Sequence, residues 1–304
     1  MKVEIITEIN SCQSLWNKFA PKNKLWDEWS VAVSFYEEGI YELYFMLFKD
    51  DNDEEIGLLP LYKYNGSEVY YFFGEGYPEM REFWFDIELL PEVIELMPKP
   101  TKIFDMKKSF IDKVLLRYPE IKESFKEVDN RYFLDLKEID YELDKYLHTF
   151  GKKHKKNLLY DLNKLKEQTN YELKWEELEH LDEFVKFNIE RFGAESDLTD
   201  KQFLKEMKTF LKAVKDLHAM HTLTIIINGK IEGIEIAAFY MNKYYVLNGG
   251  YNREIKNLGK LLIFEHIKKS LELKADEIDL LVGDTGWKKL WNFKSDECYT
   301  FKKE

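Results

Sequence analysis

Cysteine is almost absent from this chain. Only Cys12 and Cys298 occur among 304 residues, and they stand near opposite ends. Such a pair has neither the spacing of a zinc site nor that of a redox-active Cys-x-x-Cys motif. The sequence therefore predicts no bound metal, and free thiols fit a reducing cytoplasmic setting.

Long hydrophobic runs are also missing. No stretch reaches the roughly 18 consecutive apolar residues that cross a bilayer as a helix. The first residues, MKVEIITEINS, contain no apolar core of the kind that a secretory signal peptide has. These two absences predict a cytoplasmic protein with no integral membrane segment.

Positive charge is in deficit. The chain has 45 Lys and Arg against 57 Asp and Glu, a formal net charge of -12. This balance argues against wholesale binding of nucleic acid or anionic membrane, although a local basic patch can override it. Apolar residues make up 45% and aromatic residues 16% of the chain, which is enough for a packed core. The length suits two ordinary domains or one large domain.

The most informative stretch runs from residue 221 to residue 259. Three apolar runs, HTLTIII, IEGIEIAAFYM and YYVLNGGY, are separated by turns at Asn228-Gly229 and Asn242-Lys243. Short β-branched and aromatic runs with polar breaks predict an antiparallel meander, and Asn-Gly is a strong hairpin signal. An amphipathic helix is predicted from Gly259, followed by a strand at residues 277–282 and a short helical stretch at residues 287–291.

This order of elements resembles the GNAT acyltransferase fold. In that family, backbone N–H groups at the helix start hold the pyrophosphate of coenzyme A, because unpaired donors and the positive end of the helix attract phosphate. The family pattern is Arg or Gln, two residues, Gly, one residue, then Gly or Ala. Here the cofactor-binding loop would comprise Lys256, Asn257, Leu258, Gly259, Lys260 and Leu261.

Within that loop only the central Gly259 matches well. Lys256 is a basic substitute, and Leu261 departs from the pattern. A lone glycine at a helix start also occurs as an N-cap or a packing residue. If the glycine serves phosphate, Gly259→Val is expected to abolish acyl-CoA binding with little change in melting temperature, because an ordinary helical backbone tolerates valine.

The first half of the chain repeats the plan of the second half. EIGLLPLYKYNGSEVYYFFGEGY and IEGIEIAAFYMNKYYVLNGGY both contain two strands and a turn and end in two glycines and a tyrosine. This similarity predicts a duplicated domain whose residues 41–106 and 222–282 superpose, although any two meanders look alike. No glycine opens a helix after Tyr77, so only the second copy fits coenzyme A. We predict an N-terminal domain over residues 1–136 and a C-terminal domain over residues 137–304.

A basic helix is predicted between the halves, from residue 141 to residue 168. Between Lys145 and Lys166 there are seven lysines and one acid, Asp161, a net of +6. Such a face is either solvated or a patch for an anionic substrate, lipid head group, nucleotide or tRNA. The candidate substrate-binding residues here are Lys152, Lys153 and Lys156. His154 falls on the apolar stripe, which favours a packed histidine over a catalyst.

The remaining periodicities predict further elements. Strands are expected at residues 5–9, 41–48, 56–64, 68–73, 102–106, 132–136 and 172–175, and helices at 11–19, 85–96, 110–116, 177–192 and 200–217. Pro60 suggests an edge or bulge position in its strand. The polar loop at residues 191–199 is a candidate specificity element.

Taken along its length, the chain resembles tandem-GNAT proteins of the FemAB-like and CelD/BcsL-like group. The carrying segments, in order, are WNKF and WDEWS, IGLLPLY, GKKHKKNLLYDLNKLKEQ, NGKIEGIEIAAFY, GGYNREIKNLGKLLIFEHI and IDLLVGDTGWKKLWNF. The resemblance implies an α/β fold of two tandem GNAT-like domains, each a mixed, largely antiparallel sheet flanked by helices.

The resemblance also implies a GNAT-type N-acyltransferase, in the first instance an acetyltransferase. Acetyl-CoA or another acyl-CoA would be the cosubstrate, and the acceptor would be an amine or hydroxyl of a small molecule, sugar or peptide. Two alternatives stay open: transfer from aminoacyl-tRNA, as in FemAB-like relatives, and a non-catalytic binding protein.

Candidate catalytic residues follow from the chemistry of acyl transfer, which needs a proton acceptor near the carbonyl that is attacked. The strand at residues 243–251 has no carboxylate, but Glu235 on the neighbouring strand has apolar neighbours that would raise its pKa. The alternative is that Glu235 points outward. Asp284 follows a strand end, where it could be catalytic or cap a helix. Tyr251 and Lys288 are weaker candidates, Tyr251 for catalysis and Lys288 for substrate binding.

Overall fold

The computed structural model of the chain describes residues 1–176, 178–283 and 286–304. The chain forms two compact units. The first comprises residues 1–131 and 296–304, and the second comprises residues 132–295. The predicted boundary lies five residues later, at 136, and places the last nine residues in the second domain rather than the first.

The strands are β1 Lys2–Ile6, β2 Tyr41–Lys49, β3 Glu55–Tyr64, β4 Tyr70–Phe72, β5 Trp84–Phe85, β6 Thr101–Lys107, β7 Phe125–Asp135, β8 Tyr171–Glu176, β9 Met220–Ile227, β10 Lys230–Tyr240, β11 Lys243–Tyr251, β12 Glu277–Val282 and β13 Lys294–Lys303. The helices are α1 Ile9–Phe19, α2 Trp29–Ala32, α3 Leu90–Leu96, α4 Lys108–Arg117, α5 Leu143–His148, α6 Lys152–Gln168, α7 Leu181–Phe192, α8 Lys201–Asp216 and α9 Leu258–Glu272.

In the first unit the strands pair in the order β1, β2, β3, β4, β6 and β13, with β5 also paired to β3. Most pairs are antiparallel, and β4 runs parallel to β6. The core is rich in aromatic rings around Trp16, which is 2% exposed and contacts Trp29, Phe73 and Trp84 edge to face. Aromatic pairs of this geometry stabilise a core beyond the area that they bury.

Pro60 lies inside a strand that is paired on both sides. Its carbonyl accepts from the N–H of Phe73, and on that side β5 pairs with residues 57–58 and β4 with residues 61–63. Proline has no N–H to donate, and its nitrogen faces the gap between the short strands β5 and β4. The expected edge or bulge position is replaced by this break in the pairing, which is another place where a strand tolerates proline.

In the second unit the pairing order is β7, β12, β11, β10, β9 and β8. From β8 to β11 each strand is antiparallel to its neighbour, and β11 runs parallel to β12. The hairpin at Asn228 and Gly229 has φ of 52° and 76°, the left-handed pair that the Asn-Gly signal predicts. The meander and the following helix and strand are thus present as predicted.

The predicted helix from residue 141 to residue 168 is wrong as a single element. It is broken into α5 and α6, and Gly151 is the N-cap of α6 with extended ψ of 145°. Glycine costs a helix interior about 1 kcal/mol relative to alanine, so the chain turns here although the apolar stripe continues. His154 consequently lies exposed near the start of α6, where its ring packs 5.0 Å from that of Phe150.

Smaller differences concern the ends of elements. The first strand ends at Ile6, and the helix that follows begins at Ile9, because the Glu8 carboxylate caps the N–H groups of Asn10 and Ser11. Strand β13 was not predicted at all.

Within the described ranges, no helix is both long and apolar enough to cross a bilayer.

Candidate functional site

A cavity of about 1050 Å³ lies within the second unit. It is bounded by the first turns of α6 and α9, the end of α7, and strands β10 and β11. Its lining residues are Gly151, Lys152, Lys153, His154, Asn157, Leu158, Asp161, Arg191, Glu235, Tyr251, Arg253, Ile255, Lys256, Asn257, Gly259, Lys260, Leu262, Ile263, Trp287, Leu290 and Trp291. This volume is just above the usual range of about 300–1,000 Å³ for ligand sites in proteins.

Glu235 enters this cavity from β10, opposite Gly249 of β11. A Cβ at position 249 would lie 2.9 Å from the Cγ of Glu235, so the glycine makes room for the carboxylate side chain. Burial raises the pKa of Glu235 to about 8, and the positive charge of Arg191 opposes that rise. The alternative of an outward-pointing residue is therefore wrong, because the side chain is only 13% exposed.

Two buried residues lie behind Glu235, and neither was singled out from the sequence. His266 Nε2 is 3.6 Å from Glu235 Oε2, and the hydroxyl of Tyr244 is 2.8 Å from His266 Nδ1. Burial, followed by the charge of His221, lowers the pKa of His266 to about 3, so its ring is neutral at physiological pH. The available signal was a lone histidine on the buried face of an apolar helix.

Tyr251 occupies the space above the start of α9. A Cβ at Gly259 would lie 2.5 Å from the Tyr251 hydroxyl, which is closer than side chains approach. The guanidinium of Arg191 lies 5.5 Å from the Tyr251 ring. Valine at position 259 would therefore require this ring to move, and the expectation that Gly259→Val leaves the melting temperature nearly unchanged stays a prediction.

The first turn of α9 supplies fewer free donors than residues 257–261 were expected to offer. The N–H groups of Lys260 and Leu261 both donate to the carbonyl of Asn257, and that of Leu258 donates to Ile255. Among the described residues, no acceptor takes the N–H of Asn257 or Gly259. The side chains of Leu258 and Leu261 are 0% and 2% exposed and pack in the core, so the departure at position 261 serves packing.

Cations outnumber carboxylates around the cavity. Six basic residues line it, against Glu235 and Asp161, and the latter is bound to Lys260 at 2.5 Å. The basic residues are Lys152, Lys153, Arg191, Arg253, Lys256 and Lys260. The first turn of α6 carries lysines, no acid and no side-chain cap, although the positive end of a helix favours anions. An anionic ligand would neutralise both the side chains and the helix end.

Two predicted site residues lie away from the cavity. Lys156 is exposed on α6 but does not line the cavity. Lys288 is 7% exposed, and its ammonium donates to the carbonyls of Leu280 at 2.7 Å, Leu281 at 3.2 Å and Gly283. Such a cation, surrounded by backbone oxygens, is placed to hold the end of β12. Asp284 lies outside the described residues.

Helix α7 fixes the far side of the cavity. It approaches β11 so closely that a Cβ at Gly250 would lie 2.6 Å from the Cβ of Phe187. Asn188 donates to the side-chain oxygen of Asn248 at 3.0 Å and accepts from the hydroxyl of Ser196 at 2.7 Å. This network ties α7 and the segment at residues 191–199 to the strand opposite Glu235.

The chemistry of the site is thus that of one buried carboxylate, one tyrosine and a basic rim. Within residues 1–176, 178–283 and 286–304, no group of three or more His, Cys, Asp or Glu side chains could hold a metal ion. A carboxylate whose pKa is near 8 can accept a proton from an amine at neutral to alkaline pH. The basic rim and the start of α9 can bind phosphate groups.

Comparison with known families and structures gives three findings. Residues 152–289 match the family described as an acetyltransferase (GNAT) domain. No curated protein matches the chain. Several solved structures match along the whole length.

One is FemX, with 14% identity over 100% of this chain and 98% of that chain and a TM-score of 0.62. Another is a tandem GNAT protein from the clavulanic acid biosynthesis pathway, with 10% identity over 99% of this chain and 98% of that chain and a TM-score of 0.55. A third is L-PGS from Bacillus licheniformis, with 9% identity over 98% of this chain and 92% of that chain and a TM-score of 0.57. At these identities the likeness concerns the fold.

Proposed function

We propose that this chain transfers an acyl group from acyl-CoA to an amine or hydroxyl. The proposal is supported by its tandem GNAT fold and by the match of residues 152–289 to the acetyltransferase (GNAT) domain family. The observation that carries the proposal is the position of Glu235, a buried carboxylate with a pKa near 8 in a cavity rimmed by cations. In this proposal acetyl-CoA is the first donor to test, and the second unit contains the active site.

Donor binding in this proposal uses the start of α9 and the basic rim. The N–H groups of Asn257 and Gly259, which have no acceptor among the described residues, would hold the phosphate groups together with the side chains of Lys256, Lys152 and Lys153. Gly259 fits this role because a side chain there would meet Tyr251 and narrow the approach to the backbone. Lys260 contributes less, because it is already paired with Asp161.

The acyl transfer would proceed at Glu235. The acceptor nitrogen forms a bond to the thioester carbonyl carbon while the Glu235 carboxylate takes the proton of that nitrogen. The carbon–sulfur bond then breaks, and the leaving thiolate takes a proton from the Tyr251 hydroxyl, which solvent restores. An ionised fraction of Glu235 is required, so the rate rises with pH up to the pKa of this group.

A second candidate donor is aminoacyl-tRNA. It is favoured by the exposed lysines of α6 that extend beyond the cavity, above all Lys156, and by the likeness of the fold to FemX. A tRNA would need such a surface, because phosphate contacts supply most of its binding energy. Acyl-CoA, a thioester linked to a nucleotide, needs only the basic residues at the rim of the cavity for binding.

The two donors are separated by one set of measurements. Isothermal calorimetry with acetyl-CoA, followed by release of the coenzyme A thiol with a panel of amines and alcohols, tests the first donor. Saturable binding and acceptor-dependent thiol release support it. A gel shift with tRNA, together with transfer from aminoacyl-tRNA and no binding of acetyl-CoA, would replace it with the second. Binding of neither donor would favour the third hypothesis, a non-catalytic binding protein.

Glu235→Gln is the test variant for catalysis, and Glu183→Gln is its matched control. Glu183 is exposed on α7 and does not line the cavity. We expect Glu235→Gln to bind acetyl-CoA as the unmodified protein does but to lose thiol release by about 100-fold or more. Glu183→Gln should retain both.

A further inference from the structure

A buried pair of side chains lies behind Glu235, on the side away from solvent. His266 of α9 and Tyr244 of β11 are both 0% exposed. The Tyr244 hydroxyl is 2.8 Å from His266 Nδ1, and His266 Nε2 is 3.6 Å from Glu235 Oε2. Both Nε2 and Oε2 are buried without a hydrogen-bond partner among the described residues. Buried polar atoms are rarely left unpaired, so this contact requires an explanation.

The tautomer of His266 follows from its partner. A buried phenol needs an acceptor for its proton, and within the described residues the partner of the Tyr244 hydroxyl is His266 Nδ1. Tyr244 therefore donates to Nδ1. A neutral imidazole has one N–H, which must then be on Nε2, facing Glu235 Oε2.

We propose that His266 is a positioning residue, oriented by Tyr244, whose Nε2–H holds the buried oxygen of the Glu235 carboxylate. The other carboxylate oxygen is then left for the proton of the acceptor. This inference rests on the proposed function, since it assigns a role to His266 through Glu235. At 3.6 Å the contact is longer than an N–H···O bond of about 2.9 Å. Bonds to catalytic groups commonly tighten when substrate binds or charge develops.

The other charged and titratable groups around this contact come from several elements. Burial raises the pKa of Glu235, and the charge of Arg191 of α7 opposes that rise. His221 of β9 acts on His266, and Glu272 of α9 acts on Tyr244. Trp175 of β8 packs edge to face on His266 at 5.2 Å and closes that side. Of these groups, His266 alone approaches Oε2 with an N–H that can stabilise the charged carboxylate.

The direction of the effect can be tested without any substrate. A donor that bonds to the carboxylate favours its charged form and lowers its pKa, so removing the donor raises the pKa. The probe is the carboxyl ¹³C chemical shift of the intact protein labelled at glutamate, titrated with pH. The resonance of Glu235 is identified by its loss in Glu235→Gln.

We expect His266→Leu to raise the pKa of Glu235 by about one pH unit, the size of a hydrogen bond to a charged group. We expect His266→Gln to keep it close to that of the unmodified protein, because the glutamine amide can replace the Nε2–H but cannot titrate. Rescue by glutamine separates a positioning role from mere packing. If both variants only lower the melting temperature and leave the pKa of Glu235 unchanged, the inference is overturned.

Tyr244→Phe is a second variant, which removes only the hydroxyl oxygen of Tyr244. It should fold even if His266→Leu does not. Without its phenol donor, His266 is free to take the other tautomer, which places a lone pair against Glu235. The pKa of Glu235 should rise in this variant, but not when the same change is made in His266→Gln. An unchanged pKa in Tyr244→Phe would overturn the assigned tautomer. Failure to bind acyl-CoA would instead count against the proposed function. The result of the Glu235 titration would remain valid in that case.

Discussion

The hydroxyl of Tyr251 lies directly over Gly259 at the start of α9, where an added Cβ would be only 2.5 Å away. The nearest ring carbons would be 2.7 Å and 3.0 Å away. Gly259 therefore has two reasons to be glycine: it admits the tyrosine ring, and it keeps a side chain away from the backbone at a point that lines the cavity. The first reason acts on stability and the second on ligand binding.

Gly259→Ala should destabilise the protein by about 1–3 kcal/mol, the usual cost of overpacking. Urea unfolding measures this cost. Adding Tyr251→Ala should relieve most of the destabilisation, giving a double-mutant coupling between the two positions. Gly151→Ala is the control without crowding, since a Cβ there meets nothing within 4 Å, and its cost is that of alanine at the N-cap of α6. The absence of coupling between Gly259→Ala and Tyr251→Ala would contradict the contact.

Glu235→Gln should become progressively more stable than the unmodified protein as pH rises. The pKa of Glu235 is raised to about 8 from its ordinary 4.5. The stability contributed by the protonated form is therefore complete below pH 4.5 and lost as pH rises through about 8. Glutamine never ionises and avoids that loss.

Urea unfolding of both proteins at pH 5 and pH 8 tests this. The stability difference should grow by on the order of a few kcal/mol between the two values. Glu183→Gln, on the surface of α7, should show the same pH dependence as the unmodified protein. A difference that stays constant with pH would mean that Glu235 is ionised in the folded protein.

Lys288→Met should destabilise the second unit by about 2–4 kcal/mol, because three backbone carbonyls lose a charged donor. Lys289→Met is a control one residue away, where the side chain is exposed. Chemical unfolding and donor affinity should be measured together. If Lys288→Met weakens donor binding without loss of stability, then Lys288 binds substrate as the sequence suggested.

The double change Lys152→Gln and Lys153→Gln should weaken acetyl-CoA binding roughly tenfold and flatten its dependence on salt. These lysines line the cavity. Lys164→Gln with Lys166→Gln removes the same charge from the other end of α6, away from the cavity. Calorimetry at low and high salt should show that the second pair changes little. Equal losses in both pairs would indicate a general charge effect.

Local signals predicted much of the fold. The meander, α9 and β12 follow from alternation, from the Asn228-Gly229 turn and from helical periodicity, all of which are properties of neighbouring residues. The break at Gly151 was hidden because the apolar stripe continues across it. Strand β13 was missed because its sequence, KSDECYTFKK, is largely polar. It is a strand because residues 298–303 pair with β6, far away in the chain.

The sequence singled out those cavity residues that carry a signal of their own. Glu235 stands out as a lone carboxylate among apolar neighbours, and Gly259 as a glycine at a helix start. His266 and Arg191 gave no such signal, because their roles depend on which elements meet. The position of Lys288 depends on the fold in the same way, because only the folded chain brings its ammonium to three carbonyls of β12 and the residue after it.

The pH dependence of kcat/KM for thiol release from acetyl-CoA tests the central claim, that Glu235 accepts the proton of the acceptor. It should be measured from pH 6 to pH 9 with an amine that supports turnover. For the unmodified protein the rate should rise with an apparent pKa near 8. Glu235→Gln should be slower by about 100-fold or more and should lack that rise. A Glu235→Gln protein with the same rate and the same rise would contradict the account.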